Sequence, residues 1–133
     1  MPNPLVEHAR HSIHAVHALI HTVFTDRGGD GAAAIERLLP AFAEHFSMVT
    51  TAGAVVGREQ VEQLFRGAVG ARPGLEILVS DLHTLWHEGQ SVAIRYKETH
   101  RLGQQQSSRL SVAIIQVREG SAHWLYLHET ATG

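Results

Sequence analysis

The chain has 133 residues, 44% hydrophobic and 18% charged, with a formal net charge of −2. That excludes a disordered or collagen-like chain and predicts one compact domain over 1–133. With no cysteine, disulfides, thiolate metal sites and cysteine nucleophiles are excluded. Near-neutral charge offers no basic excess to condense on nucleic acid, and the apolar runs are too short to span a bilayer, so neither partner is expected.

The opening Met1-Pro2-Asn3-Pro4 has no basic stretch followed by an apolar run, so no secretory signal is expected and the expected location is the cytoplasm. A first helix is predicted from about Leu5 to Phe24. Ile13, Val16, Leu19, Ile20, Val23 and Phe24 fall within roughly 140° of each other at helical pitch, and Asn3-Pro4 is a start signal. Asp26 to Gly31 breaks the chain. A second helix runs from about Ala32 to Leu39, where Pro40 ends it or opens a short turn. His45 to Thr51 reads as a strand, Ala52-Gly53-Ala54 as a turn and Val55-Val56 as a short strand. Gly57-Arg58-Glu59-Gln60 opens a third helix with a stripe of Val61, Leu64, Phe65 and Ala68, ended by Gly70 to Gly74.

Four long strands follow, Leu75–His87, Ser91–Leu102, Ser107–Arg118 and His123–Thr130, with hairpin breakers between them. Three N-terminal helices and a meander of antiparallel strands make an α+β domain. Strand parity places Val92, Ile94, Tyr96, Glu98 and His100 on one face. Leu110, Val112, Ile114 and Gln116 face one way, while Ala113, Ile115 and Val117 face the other. The last strand is also apolar on both sides. A single sheet with helices on one side should keep one wet face. Two dry faces predict a homodimer through the outer face of the last three strands.

Two local stretches carry a family resemblance. His45-Phe46-Ser47-Met48-Val49, followed by Gly53-Ala54-Val55-Val56-Gly57-Arg58, resembles a first strand, turn and Gly-Arg start of a third helix. Trp124-Leu125-Tyr126-Leu127-His128-Glu129-Thr130 resembles a closing strand of Trp, hydrophobics and His. Both resemble the nuclear transport factor 2-like superfamily, which includes SnoaL-like and ketosteroid-isomerase-like proteins, and the nearest branch is of small bacterial stand-alone domains of unassigned function. The resemblance covers about residues 5–131. It implies a strongly curved sheet wrapped on the helices as a cone, with a pocket at the open end and dimerisation through the sheet's outer surface. Members include isomerases, dehydratases, epoxide hydrolases, polyketide cyclases and non-enzymatic binding domains, so the fold does not choose the function.

A cone interior predicts an apolar cavity walled by Val16, Ile20, Met48, Phe65, Ile94 and Trp124, with Tyr96, Glu98, Asp81 and His128 as its polar groups. In such a site Glu98 or Asp81 would be the general base, and Tyr96 or His128 the hydrogen-bond donor. The expected ligand is small and apolar or carbonyl-bearing. The expected role is binding without chemistry, the alternative being a small lyase, isomerase or cyclase using the same pocket. The first helix has no tyrosine and Asp81 is the only aspartate of the long strands, which departs from ketosteroid isomerase.

Eleven histidines are the unusual feature of the composition. His14, His17 and His21 share a helix flank at spacings that would let two share a metal, but a solvated polar flank is the preferred reading, and no metal is expected. Arg95, Lys97 and Arg101 form a basic strip on the outer face, with Arg109 at the hairpin. No Gly-rich loop suits a phosphate and no Gly-x-Ser-x-Gly turn is present, so no cofactor is expected.

Overall fold

A computed structural model describes residues 3–132. Helix α1 is Pro4–Thr25, α2 is Asp30–Leu38 and α3 is Arg58–Gly67; strands β1 to β6 are Phe42–Val49, Val55–Gly57, Glu76–Glu88, Ser91–Leu102, Gln105–Arg118 and Ser121–Ala131. The six strands form one sheet in the order β2-β1-β6-β5-β4-β3. All pairings are antiparallel except β1 with β6, which is parallel. The four long strands β3 to β6 form the expected meander, and β1 with β2 extends the sheet through the parallel β1–β6 pairing. The first strand also starts at Phe42, earlier than expected, because a single 3₁₀ turn at Leu39–Ala41 absorbs Pro40.

Local chemistry starts each helix. The Asn3 side chain accepts hydrogen bonds from the amides of Leu5 at 2.8 Å and Val6 at 3.3 Å, and Pro4 occupies the first turn, where no amide is needed. One Asp26 oxygen gathers the amides of Gly28, Gly29 and Asp30, anchoring the start of α2. The Gln60 side chain accepts from the Gly57 amide at 2.6 Å as α3 begins. Arg58, the residue of the Gly-Arg stretch, donates to the carbonyls of Leu39 at 2.9 Å and Phe42 at 3.2 Å, tying α3 to the turn that launches β1.

The core lies between α1 and the concave face of the sheet. Val6, Ala9, Ile13 and Val16 of α1 meet Val92, Ile94, Tyr96, Ala113, Ile115 and Trp124. The Trp124 indole N–H donates to the Ser12 hydroxyl at 2.7 Å, a buried polar tie across the two layers. A smaller cluster of Val23, Ala34, Ile35 and Leu39 seats α2. Among the described residues, no helix is long and apolar enough to cross a membrane.

Bulges set which way the strand residues point. Ile114 pairs with Tyr126 but Ile115 pairs with Trp124, which leaves Leu125 as an extra residue in β6. Two more interruptions fall in β3, between Ser80 and His83 and between Thr84 and Trp86. The β1–β6 pairing also slips between Phe42 and Ser47. Each bulge reverses the parity of everything beyond it.

Candidate functional site

A cavity of about 370 Å³ opens between α1, α3 and the concave sheet. Its apolar walls come from every layer. Val16, Ile20 and Phe24 project from α1, Val61, Leu64 and Phe65 from α3, and Met48, Trp124 and Leu127 from the sheet. Five ionisable side chains also line it: His17 from α1, Glu98 and His100 from β4, Arg109 from β5 and Glu129 from β6.

Three of these form a closed, buried triad. The His17 Nε2 lies 3.0 Å from Glu98 Oε1, and the His100 Nε2 lies 2.5 Å from Glu98 Oε2. The His17 Nδ1 is 2.8 Å from the Ile13 carbonyl, an acceptor only, so that nitrogen carries a proton. The ring must therefore hold a second proton on Nε2 to bond an ionised Glu98. The Arg72 guanidinium donates to His100 Nδ1 at 3.4 Å, which leaves the His100 proton on Nε2, facing Glu98. Burial opposes charge on His17, but the Glu98 carboxylate and the Ile13 carbonyl outweigh it and raise the ring above its ordinary value. Burial would also raise Glu98; the hydrogen bonds from His100 and His17 overcome it and hold the carboxyl far below the usual range. The Tyr96 hydroxyl sits 3.4 Å from His17 Nε2. Burial, then the Glu98 charge, pushes this phenol well above its ordinary value.

Arg109 and Glu129 are arranged differently. The Arg109 Nη1 and Glu129 Oε2 stand 3.6 Å apart, an ion pair but not a hydrogen bond. Burial, then the charge of Glu98, raises the Glu129 carboxyl above its ordinary value, partly offset by Arg109 and His17.

Of the residues singled out from the sequence, Val16, Ile20, Met48, Phe65, Trp124 and Glu98 line the cavity. Tyr96 and Ile94 are wholly buried in the core beside it and are not part of its lining. Two polar candidates are elsewhere. Asp81 is exposed in the first bulge of β3, with a φ of 58°, so its carboxyl is not among the cavity groups. His128 is exposed on the convex face, where its Nδ1 lies 2.8 Å from the Tyr126 hydroxyl. The Leu125 bulge is the cause: plain alternation puts Trp124, Tyr126 and His128 on one side, whereas the bulged strand turns Trp124, Leu127 and Glu129 inward. Glu129 was therefore invisible to parity. Arg109 was not, since it alternates with Ser111, Ala113 and Ile115, which are all buried. The histidine row of α1 disperses. His17 enters the triad, His21 bonds the Leu75 carbonyl at 2.8 Å and His14 is exposed. Among the described residues no group of three or more His, Asp or Glu side chains is placed to hold a metal ion; the triad's nitrogens and oxygens face one another.

An NTF2-like protein of unknown function from Pseudomonas aeruginosa superposes with a TM-score of 0.87 at 33% identity, over 95% of this chain and 99% of its own. The chain belongs to the NTF2-like family. More distant NTF2-like and cystatin-like structures match in fold alone. One is a Nostoc punctiforme protein of unknown function, with TM-score 0.68 and 12% identity over 92% of this chain and 90% of its own. Another, from Pseudomonas putida, has TM-score 0.70 and 10% identity over 96% and 88%. No family model and no curated protein matches the sequence. These three structures are all of proteins of unknown function, so function is argued from the site.

Proposed function

We propose that this NTF2-like chain binds a small, mostly apolar molecule in its concave cavity without transforming it. The observation that supports binding over catalysis is the state of Glu98. Both its oxygens are taken by histidines and its proton affinity is low, so the best-buried carboxylate has no capacity left to act as a base. The walls are those of an ordinary ligand cavity, near the small end of the usual range of about 300–1,000 Å³. The test is a thermal-shift and calorimetric screen of small aryl and alkyl compounds against the wild type and Ala68→Phe, which fills the cavity from the end of α3. Saturable binding that Ala68→Phe removes supports the reading. No binding, or binding indifferent to that substitution, overturns it.

A second reading, acid–base chemistry on a carbonyl compound by a lyase, isomerase or cyclase, is favoured by Glu129 alone. Its raised carboxyl is the cavity group able to take and return a proton. Deuterium exchange at the α-carbon of a small cyclic enone, lost in Glu129→Gln, would establish it.

The convex face supports a proposal of self-association. Leu110 is 43% exposed there, with Val112, Ile114 and Tyr126 partly uncovered around it. A second copy laid on that face would form a two-fold dimer, burying at least ~1,000 Å² in total if the association is specific.

A further inference from the structure

We propose that the cavity selects an apolar molecule carrying one carboxylate, with Arg109 as its counter-ion and Glu129 as the neighbouring hydrogen-bond partner. This rests on the binding role proposed above and names its ligand class.

Hydrogen-bond capacity divides the cavity's ionisable groups in two. His17, Glu98 and His100 spend their capacity on one another, on the Ile13 carbonyl and on Arg72. The side chains of Arg109 and Glu129, in contrast, make no hydrogen bond among the described residues, and the 3.6 Å between them is too long for one. Both line the cavity, with side chains 23% and 10% exposed. A guanidinium with its fork of donors unspent, at the edge of an apolar hollow, matches the planar pair of oxygens of a carboxylate.

Charge balance accommodates the same ligand and disfavours a cation. His17 and Glu98 cancel, so Arg109 and Glu129 set the balance. A bound carboxylate neutralises Arg109 and leaves Glu129 to take up a proton and donate its O–H. A bound ammonium would leave an excess positive charge in an apolar enclosure. The groups facing Glu129 are His17 from α1, Glu98 and His100 from β4 and Arg109 from β5, while α3 and β1 contribute only apolar groups, joined by the hydroxyls of Thr50 and Thr51 just beyond β1. Glu129 already lies above its ordinary value through burial and the Glu98 charge. A second anion beside it raises it further, so binding takes up a proton and weakens as pH rises.

The probes are 4-phenylbutyrate, 4-phenylbutanamide and 4-phenylbutylamine, which share one apolar body. Calorimetry between about pH 6 and about pH 8, in buffers of different ionisation enthalpy, reads affinity and proton uptake together. The carboxylate is expected to bind about tenfold tighter than the amide, and Arg109→Met to erase that preference. Glu129→Gln, which imitates the protonated acid, is expected to flatten the pH profile and abolish proton uptake. If these persist, they arise from the histidines and the role of Glu129 is wrong. Equal binding of amide and carboxylate overturns the ligand class while leaving the cavity's binding role intact. Failure of all three probes overturns both. Should Arg109→Met not fold, Arg109→Gln carries the same comparison.

Discussion

Replacing Glu98 separates two effects that the buried triad combines, hydrogen bonding and charge. Glu98 is 4% exposed and each of its carboxylate oxygens has one histidine partner. In Glu98→Leu both ring N–H groups lose their acceptor inside the core, and removing one member of a buried pair costs about 3–5 kcal/mol. In Glu98→Gln the amide oxygen still accepts from His100. The amide nitrogen donates to His17, which releases its Nε2 proton and keeps the one on Nδ1 bonded to Ile13. Every group stays paired and only the charge-assisted part is lost, about 1–2 kcal/mol. The pH dependence follows from the same pair. His17 is raised above 6.5, so its contribution is complete below that value and is lost as pH rises through the folded value. Glu98 is lowered from 4.5, so its contribution is complete above that value and is lost as pH falls through the folded one. The triad therefore stabilises the fold most between pH 4.5 and 6.5, and both variants flatten that maximum. Urea unfolding followed by circular dichroism across this range measures both quantities. Equal destabilisation by Leu and Gln, or a loss below ~1 kcal/mol in the Leu variant, would refute the hydrogen-bond assignment.

Other substitutions probe the ties between layers. Ser12→Ala leaves the buried Trp124 indole N–H without an acceptor and should cost about 1–3 kcal/mol in urea unfolding. Arg58→Ala removes both bonds to the Leu39 and Phe42 carbonyls. It is expected to lower the melting temperature, with a loss of about 1–3 kcal/mol for the two bonds together. Ile114→Arg puts a charge at the centre of the convex apolar face. Sedimentation should show a dimer for the wild type and a monomer for this variant, and a wild-type monomer at micromolar concentration would end the dimer proposal.

Local sequence determined the elements of this protein. Asn3-Pro4 starts α1, the Gly57-Arg58 stretch starts α3, and the Gly-containing breakers divide the long strands, because caps and turns depend on a few neighbouring residues. Alternation along β4 was equally readable, since no bulge interrupts the register from Ser91 to Leu102 and Val92, Ile94, Tyr96, Glu98 and His100 stay on one buried face. The parallel β1–β6 pairing was not readable, being a contact between strands far apart in the chain. Only part of the cavity's polar end was readable: Glu98 and Arg109 follow the alternation of their strands, and Glu129 does not. The Leu125 bulge turned Glu129 inward and His128 outward, and the break after Ser80 left Asp81 exposed. A bulge is set by how two strands fit their shared curvature around α1, and one inserted residue reverses every side chain beyond it. The partners of Glu98 were hidden for a related reason. Their meeting requires α1 to lie across β4, so that His17 reaches a carboxylate 81 positions away, and only tertiary packing brings such residues within hydrogen-bond distance.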